Sequence, residues 1–183
     1  MNLRTDINKM EITYVYSCFN YSYFHKASVL AATLKKFHSS WKFIAVIVER
    51  RDSLEPSVLE NRNFDEIIFP ETLLGSSHEK WFKSHSVVEA CTSIKGVALQ
   101  TILVREDCKN VFYFDPDIAI INNLTSIEGR FRTHDIILTP HQTKYEAYTD
   151  IRAIIDNEVG SLAHGCYNLG FLGIKKSKIG KEF

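Results

Sequence analysis

The sequence predicts an α/β fold with a mainly parallel central sheet and helices on both faces. Three observations predict it. Short apolar runs alternate with longer stretches whose apolar residues recur at helical spacing, the pattern of strands joined by helical crossovers. The runs over 43–48 (FIAVIV) and 111–114 (VFYF) are nearly continuous, as in strands buried on both faces rather than one. The second of these runs straight into Asp115-Pro116-Asp117. That places two carboxylates at a strand's C-terminal end, where open α/β sheets bind ligands.

Each element follows in order. A β-rich run over 12–18 leads into a loop over 19–24. An amphipathic helix is expected over 25–38, with Ala27, Leu30, Ala31, Leu34 and Phe37 on one face. A buried strand spans 43–48, a short helix 54–62, and another strand 66–69, closed by Pro70. Residues 81–105 read as one or two helices, with a break expected at Gly96. The strand over 111–114 delivers the acidic pair, and a strand over 135–138 ends at Thr139-Pro140-His141. Two glycines inside the apolar run over 167–174 mark a strand with a bulge or a close backbone approach. There is no internal repeat, low-complexity stretch or linker, so a single domain over 1–183 is expected.

The chain has 183 residues, enough to bury a substantial core. Its 22 basic and 22 acidic residues balance to zero net charge without a basic stripe, which argues against nucleic acid as a partner. No apolar stretch reaches the ~20 residues of a transmembrane helix. The polar segment over 1–11 is neither a signal peptide nor an anchor. A cytoplasmic protein is expected, at most peripheral to the inner face of a membrane. Cys18, Cys91, Cys108 and Cys166 are far apart and lack a Cys-x-x-Cys pair, so they read as free thiols. Sequons occur at Asn20 and Asn123 and carry meaning only in a secreted chain.

Burying a carboxylate without a partner costs several kcal/mol or more, so a pair at a buried strand's edge calls for a cation. Spaced i, i+2 at a turn, Asp115 and Asp117 can converge on one hard divalent ion. Oxygen ligands of this kind suit Mg²⁺ or Mn²⁺, with water and a substrate diphosphate completing the shell. Asp-Pro-Asp is also good turn chemistry, and for the pair in isolation both readings stand.

With VVEACTSIKGVALQTILVREDCKNVFYFDPDIAIINNL, HDIILTPH and YNLGFLGI in this order, the chain resembles nucleotide-sugar-dependent glycosyltransferases of the GT-A fold. It is similar to bacterial members of the family 8 type over about 12–183. The resemblance implies transfer of a sugar from a nucleoside diphosphate donor, with UDP the default nucleotide, to a glycan, lipid-linked or protein acceptor. It implies that Asp115 and Asp117 are the Asp-x-Asp ligands of Mn²⁺ or Mg²⁺, and that Asp115 also lies near the donor ribose or sugar. It places Asn168 beside the transferred sugar and lets Gly170 bring backbone close to ligand. The loop Ser17, Cys18, Phe19, Asn20, Tyr21 would hold base and ribose, with Lys95 and Pro116 facing the donor. Thr139 and His141 would lie where the sugar or acceptor pocket forms. Relatives continue well beyond this length and often supply a third metal ligand there, usually His. The resemblance therefore also implies a chain lacking its C-terminal acceptor and third-ligand part.

Each residue has a plainer reading. Asn168 can cap a turn before Gly170, Lys95 can be a solvated helix residue, and His141 a loop residue. Tyr21, Tyr23 and Phe24 can be packing. Glu89 reads as a surface or ion-pair residue, and Cys18 as packing with nothing to activate it. Three rivals remain. A haloacid-dehalogenase-type phosphatase wants its Asp-x-Asp near the start of the chain. A nucleotidyltransferase wants a Gly-rich phosphate loop that Ser17-Cys18-Phe19-Asn20 does not provide. A domain that binds a nucleotide sugar without turning it over is the non-enzyme alternative.

Overall fold

The computed structural model describes residues 11–56 and 60–182. The segment read above as neither signal nor anchor lies almost wholly outside them. So does part of the helix expected over 54–62. A six-stranded sheet organises the described residues, in the order β3-β2-β1-β4-β6-β5. Its strands are β1 (Ile12–Phe19), β2 (Lys42–Ile47), β3 (Glu66–Ile68), β4 (Cys108–Phe114), β5 (Ile136–Pro140) and β6 (Tyr167–Lys175).

β3, β2, β1 and β4 are mutually parallel. β6 runs antiparallel between β4 and β5, so the sheet is parallel except for one reversed strand. The expected irregularity in β6 is present: β5 pairs Leu138 with Leu172 but Thr139 with Asn168, leaving 169–171 bulged against it.

Strand alternation divides β1 between two cores. Val15 and Phe19 pack on helix α1 (Phe24–Phe37) through Ala27, Leu30, Ala31 and Leu34, all fully buried. Tyr14, Tyr16 and Cys18 face the other side. The short helices α2 (Pro70–Leu74) and α3 (His78–Ser84) lead there to α4 (Val87–Leu103). α4 lays Ala90, Ile94, Ala98, Ile102 and Leu103 on the sheet at i, i+4 spacing.

The helix break expected at Gly96 is not there. α4 runs through Gly96, whose exposed position leaves open space where a side chain would stand. A glycine costs a helix interior only about 1 kcal/mol, which the buried face outweighs. The chain breaks instead at His85, in extended conformation, just before a capping box. Ser86 Oγ accepts the Glu89 N–H while the Glu89 carboxylate accepts the Ser86 N–H at 2.8 Å. Glu89 is exposed, as its surface reading has it, and its carboxylate starts the helix. Among the described residues it makes no ion pair, and Ser86-x-x-Glu89 carried the helix-start signal in the sequence.

The N-terminal end of the parallel strands is closed by paired charges. Arg105 donates two bonds to the Glu66 carboxylate at 2.6 and 2.8 Å. Asp65 accepts the Phe43 N–H at 2.7 Å and pairs with Lys42 and Lys35. Glu128, on the short helix α5 (Thr125–Glu128), accepts the Thr13 hydroxyl at 2.8 Å. His38 ends α1: its Nε2 accepts the Leu124 N–H at 2.7 Å, and its ring stacks on Trp41. Burial holds its pKa below the ordinary value.

Candidate functional site

Strand order reverses between β1 and β4. β1 continues leftward to β2, whereas β4 is followed by strands on its right. A crevice opens at such a switch point, outside the C-terminal ends of the two strands. Here Tyr16 of β1 stands beside Tyr113 of β4, so both strands deliver their next residues to one place. A cleft of about 440 Å³ lies there, and the switch-point geometry makes it the candidate site.

Three elements wall the cleft. β1 and its following turn give Cys18, Phe19, Asn20, Ser22 and Tyr23. The first turns of α4 give Val88, Cys91, Thr92 and Lys95, three or four residues apart and so on one helix face. β4 gives Tyr113 and the turn Asp115, Pro116, Asp117, closed by the Ile118 N–H on the Asp115 carbonyl at 3.2 Å.

The two Asp115 oxygens have different partners. Oδ1 accepts the Tyr113 hydroxyl at 2.5 Å and the Lys95 ammonium at 3.0 Å. Oδ2 points toward Gly170: a Cβ built there would lie 3.1 Å from it and 2.8 Å from Asn168 Oδ1. The absence of that Cβ is what lets Asp115, Asn168 and the β6 backbone converge. The Asp115 N–H donates to the Gly170 carbonyl at 2.9 Å, tying the acidic turn to β6. Asp117 is exposed and makes no hydrogen bond or ion pair among the described residues.

Of the residues read from the sequence, Cys18, Phe19, Asn20, Lys95, Asp115, Pro116 and Asp117 share this cleft, and Asn168 and Gly170 meet Asp115 from β6. Asn168 Oδ1 accepts the Gly170 N–H at 2.7 Å, the turn-capping role named as its plainer reading. Its amide N–H₂ makes no hydrogen bond among the described residues and is exposed.

Two of the expected residues sit differently. Ser17 is completely buried, and alternation puts its side chain on the α1 side with Val15 and Phe19; its hydroxyl has no partner among the described residues. Tyr21 does not line the cleft. Its ring packs on Phe24, and its backbone N–H is held by Glu49 Oε1 at 3.2 Å. Thr139 is exposed and pairs with Asn168 in the ladder, while the His141 N–H donates to the Cys166 carbonyl.

Sequence reasoning passed over Val88, Cys91 and Thr92. Their signal was the helical spacing back from Lys95, legible only once the helix start at Ser86 is recognised. Cys18 is buried, and burial pushes its thiol well above the ordinary range, as it does less strongly for Cys91. Neither is a nucleophile in this state.

A divalent ion fits the donor set in part. Asp115 Oδ2 and both Asp117 oxygens are open, hard ligands at the cleft's lip, suited to Mg²⁺ or Mn²⁺. Among the described residues no group of three or more His, Cys, Asp or Glu could hold a metal, so the remaining positions fall to ligand or water.

No family model and no curated protein matches the sequence. Solved structures match through the fold. The galactosyltransferase LgtC, in complex with donor and acceptor sugar analogues, is 17% identical with a TM-score of 0.51. The match covers 94% of this chain and 60% of that one. Mouse xyloside xylosyltransferase 1 is 14% identical at a TM-score of 0.51, over 91% and 68%. Glucosyl-3-phosphoglycerate synthase from Mycobacterium tuberculosis, in complex with Mn²⁺, UDP and glucosyl-3-phosphoglycerate, is 13% identical at 0.50, over 92% and 58%.

The chain has the GT-A fold. It spans about 60% of the length of the galactosyltransferase. A 4-diphosphocytidyl-2C-methyl-D-erythritol synthase from Anaerococcus prevotii matches as well, 12% identical at a TM-score of 0.50 over 93% and 72%. The fold by itself therefore does not choose the reaction. Among the described residues no helix is long and apolar enough to cross a membrane.

Proposed function

We propose that this chain carries the donor site of a glycosyltransferase that uses a nucleoside diphosphate sugar, with UDP as the nucleotide and Mn²⁺ or Mg²⁺ as cofactor. The observation that carries this reading is the unequal pairing of the acidic turn. Asp117 and one oxygen of Asp115 are left open at the lip of a switch-point cleft, although every other carboxylate at the opposite sheet end named above is paired. Open carboxylates facing a cleft suit a cation brought in with a diphosphate.

The residues divide the work by chemistry. Asn20 and the turn after β1 line the part of the cleft that would take base and ribose. Asp115 and Asp117 would hold the divalent ion, which when bound neutralises charge on the departing diphosphate. Lys95, at the cleft wall, adds a fixed positive charge on the same side. The amide N–H₂ of Asn168 is free to donate to a sugar hydroxyl or ring oxygen. Transfer breaks the bond from anomeric carbon to diphosphate oxygen, which leaves with the electron pair. It forms a bond to the oxygen of an acceptor hydroxyl, whose proton passes to the departing diphosphate or to water. The transition state has oxocarbenium character, as in glycoside hydrolysis. The acceptor is a glycan, a lipid-linked glycan or a protein, and the family 8 likeness favours retention of anomeric configuration.

Calorimetric titration of UDP with and without Mn²⁺ tests the reading. Saturable binding that requires Mn²⁺ is expected. Asp117→Asn should weaken it at least as much as the ~10–100-fold that outer-shell changes cost a metal site, with the fold intact. Unchanged affinity in that variant sinks the metal assignment. Binding without hydrolysis or transfer of a UDP-sugar would leave a nucleotide-sugar-binding domain.

A further inference from the structure

Tyr113 is a large polar residue placed where an apolar one would pack equally well. It lies on the α4 side of β4, 2% exposed, with its ring 5.0 Å from that of Tyr16. A buried phenol needs a partner for its hydroxyl, and this one spends it on Asp115 Oδ1 at 2.5 Å. The same oxygen takes the Lys95 ammonium at 3.0 Å, and that ammonium also sits 4.4 Å from the centroid of the Tyr113 ring. Lys95 is located in turn by its backbone carbonyl, which accepts the Tyr16 hydroxyl at 3.1 Å. Two elements, α4 and β4, thus meet on one carboxylate oxygen, and β1 steadies the first of them through Tyr16.

The consequence is geometric. A carboxylate can turn about its Cβ–Cγ bond and present either oxygen, or both, to a cation. With Oδ1 held by two donors, Asp115 is fixed in one rotation, and Oδ2, on the Gly170 side, is the oxygen left without a donor among the described residues. We infer that Tyr113 is a positioning residue: its hydroxyl orients Asp115 so that a single oxygen is offered to a divalent ion. The inference rests on the donor-site reading above and names a residue that reading does not use. A carboxylate that binds metal is commonly oriented by such an outer partner, whose removal costs about 10–100-fold in affinity.

Tyr113→Phe removes one oxygen and no packing. Binding of Mn²⁺ in the presence of saturating UDP is followed by the loss of the free-ion electron paramagnetic resonance signal. Melting curves accompany it. Tyr14→Phe is the control: it deletes a comparable hydroxyl, bonded to Asp107 at 3.0 Å, at the opposite end of the same sheet face. The expected result is a Mn²⁺ dissociation constant raised about 10–100-fold in Tyr113→Phe and unchanged in Tyr14→Phe, at similar melting temperatures. If the Phe variant does not fold, Tyr113→Leu, which keeps the position apolar, takes its place.

Wild-type and Tyr113→Phe curves that superimpose overturn the positioning role. Equal weakening in Tyr14→Phe overturns it too, since the effect would then be general loosening of the core. A wild type that takes up no Mn²⁺ overturns the donor-site reading instead, so the two failures are distinguishable.

Discussion

The two ends of the parallel strands make opposite use of the same residue types. At the N-terminal end, Glu66 is matched by both arms of Arg105, Asp65 by two lysines and a backbone N–H, and Glu128 by the Thr13 hydroxyl. At the C-terminal end, Asp117 is matched by nothing among the described residues and Asp115 on one oxygen only. Paired carboxylates hold strands in place; open ones are held by strands for something else. The contrast separates acidic residues that serve the fold from those available to a ligand, and it does so without reference to any relative.

Gly170→Ala is the strongest way to break the contrast short of removing a ligand. The new methyl would sit 2.8 Å from Asn168 Oδ1 and 3.1 Å from Asp115 Oδ2, so both side chains must move. The shift required is a few tenths of an ångström, less than the displacement of about 1 Å that can cost 10²-fold in rate, so a loss of about 10-fold in UDP-sugar turnover is expected with little change in melting temperature. Turnover at the wild-type level would show that Asp115 and Asn168 need not share that space.

Glu66→Gln probes the other end. Losing the charge opposite Arg105 should destabilise the chain by about 1 kcal/mol, at the low end for charge-assisted bonds because the pair is partly exposed. Chemical denaturation measures this. Mn²⁺-dependent UDP affinity should stay put, and a drop in it would mean that the two ends are coupled.

The smallest effect concerns His38. Its folded pKa is lowered by burial, so above the unfolded value of about 6.5 it contributes its full stability. As pH falls below that value the unfolded chain takes up the proton first, and the contribution is lost down to the folded pKa. The Leu124 N–H bond to Nε2 fits the neutral ring. Melting temperature should therefore fall further between pH 7 and pH 5 than it does in His38→Gln, whose side-chain oxygen can accept the same bond. Identical pH profiles in the two proteins would remove His38 from the account.

Much of this was legible in the chain. Continuous apolar runs announced buried strands at β2 and β4, and the Asp-x-Asp after β4 lies in the switch-point cleft. The reversal of β6 was not legible, because periodicity reports which faces are buried and says nothing of direction. Gly96 misled because local helix propensity was weighed without the buried face that overrides it. Ser86-x-x-Glu89 was present and was passed over, and with it went Val88, Cys91 and Thr92, the part of the helical wall before Lys95. Ser17 shows the limit of reading a loop as a unit: neighbouring side chains on a strand point opposite ways, so only every other residue can reach a ligand.

The reversed strand β6 has one more consequence. Because it enters the sheet from the same edge at which β4 leaves it, the Asp115–Gly170 contact is sealed by two ladders, β4–β6 and β5–β6, that flank a long excursion between β5 and β6. That excursion, over 141–166, is fastened at its base where the His141 N–H donates to the Cys166 carbonyl. One reversed strand thus anchors both the acidic turn, through Gly170, and the loop that precedes it, through the chain entering at Cys166, like one peg that holds two cords.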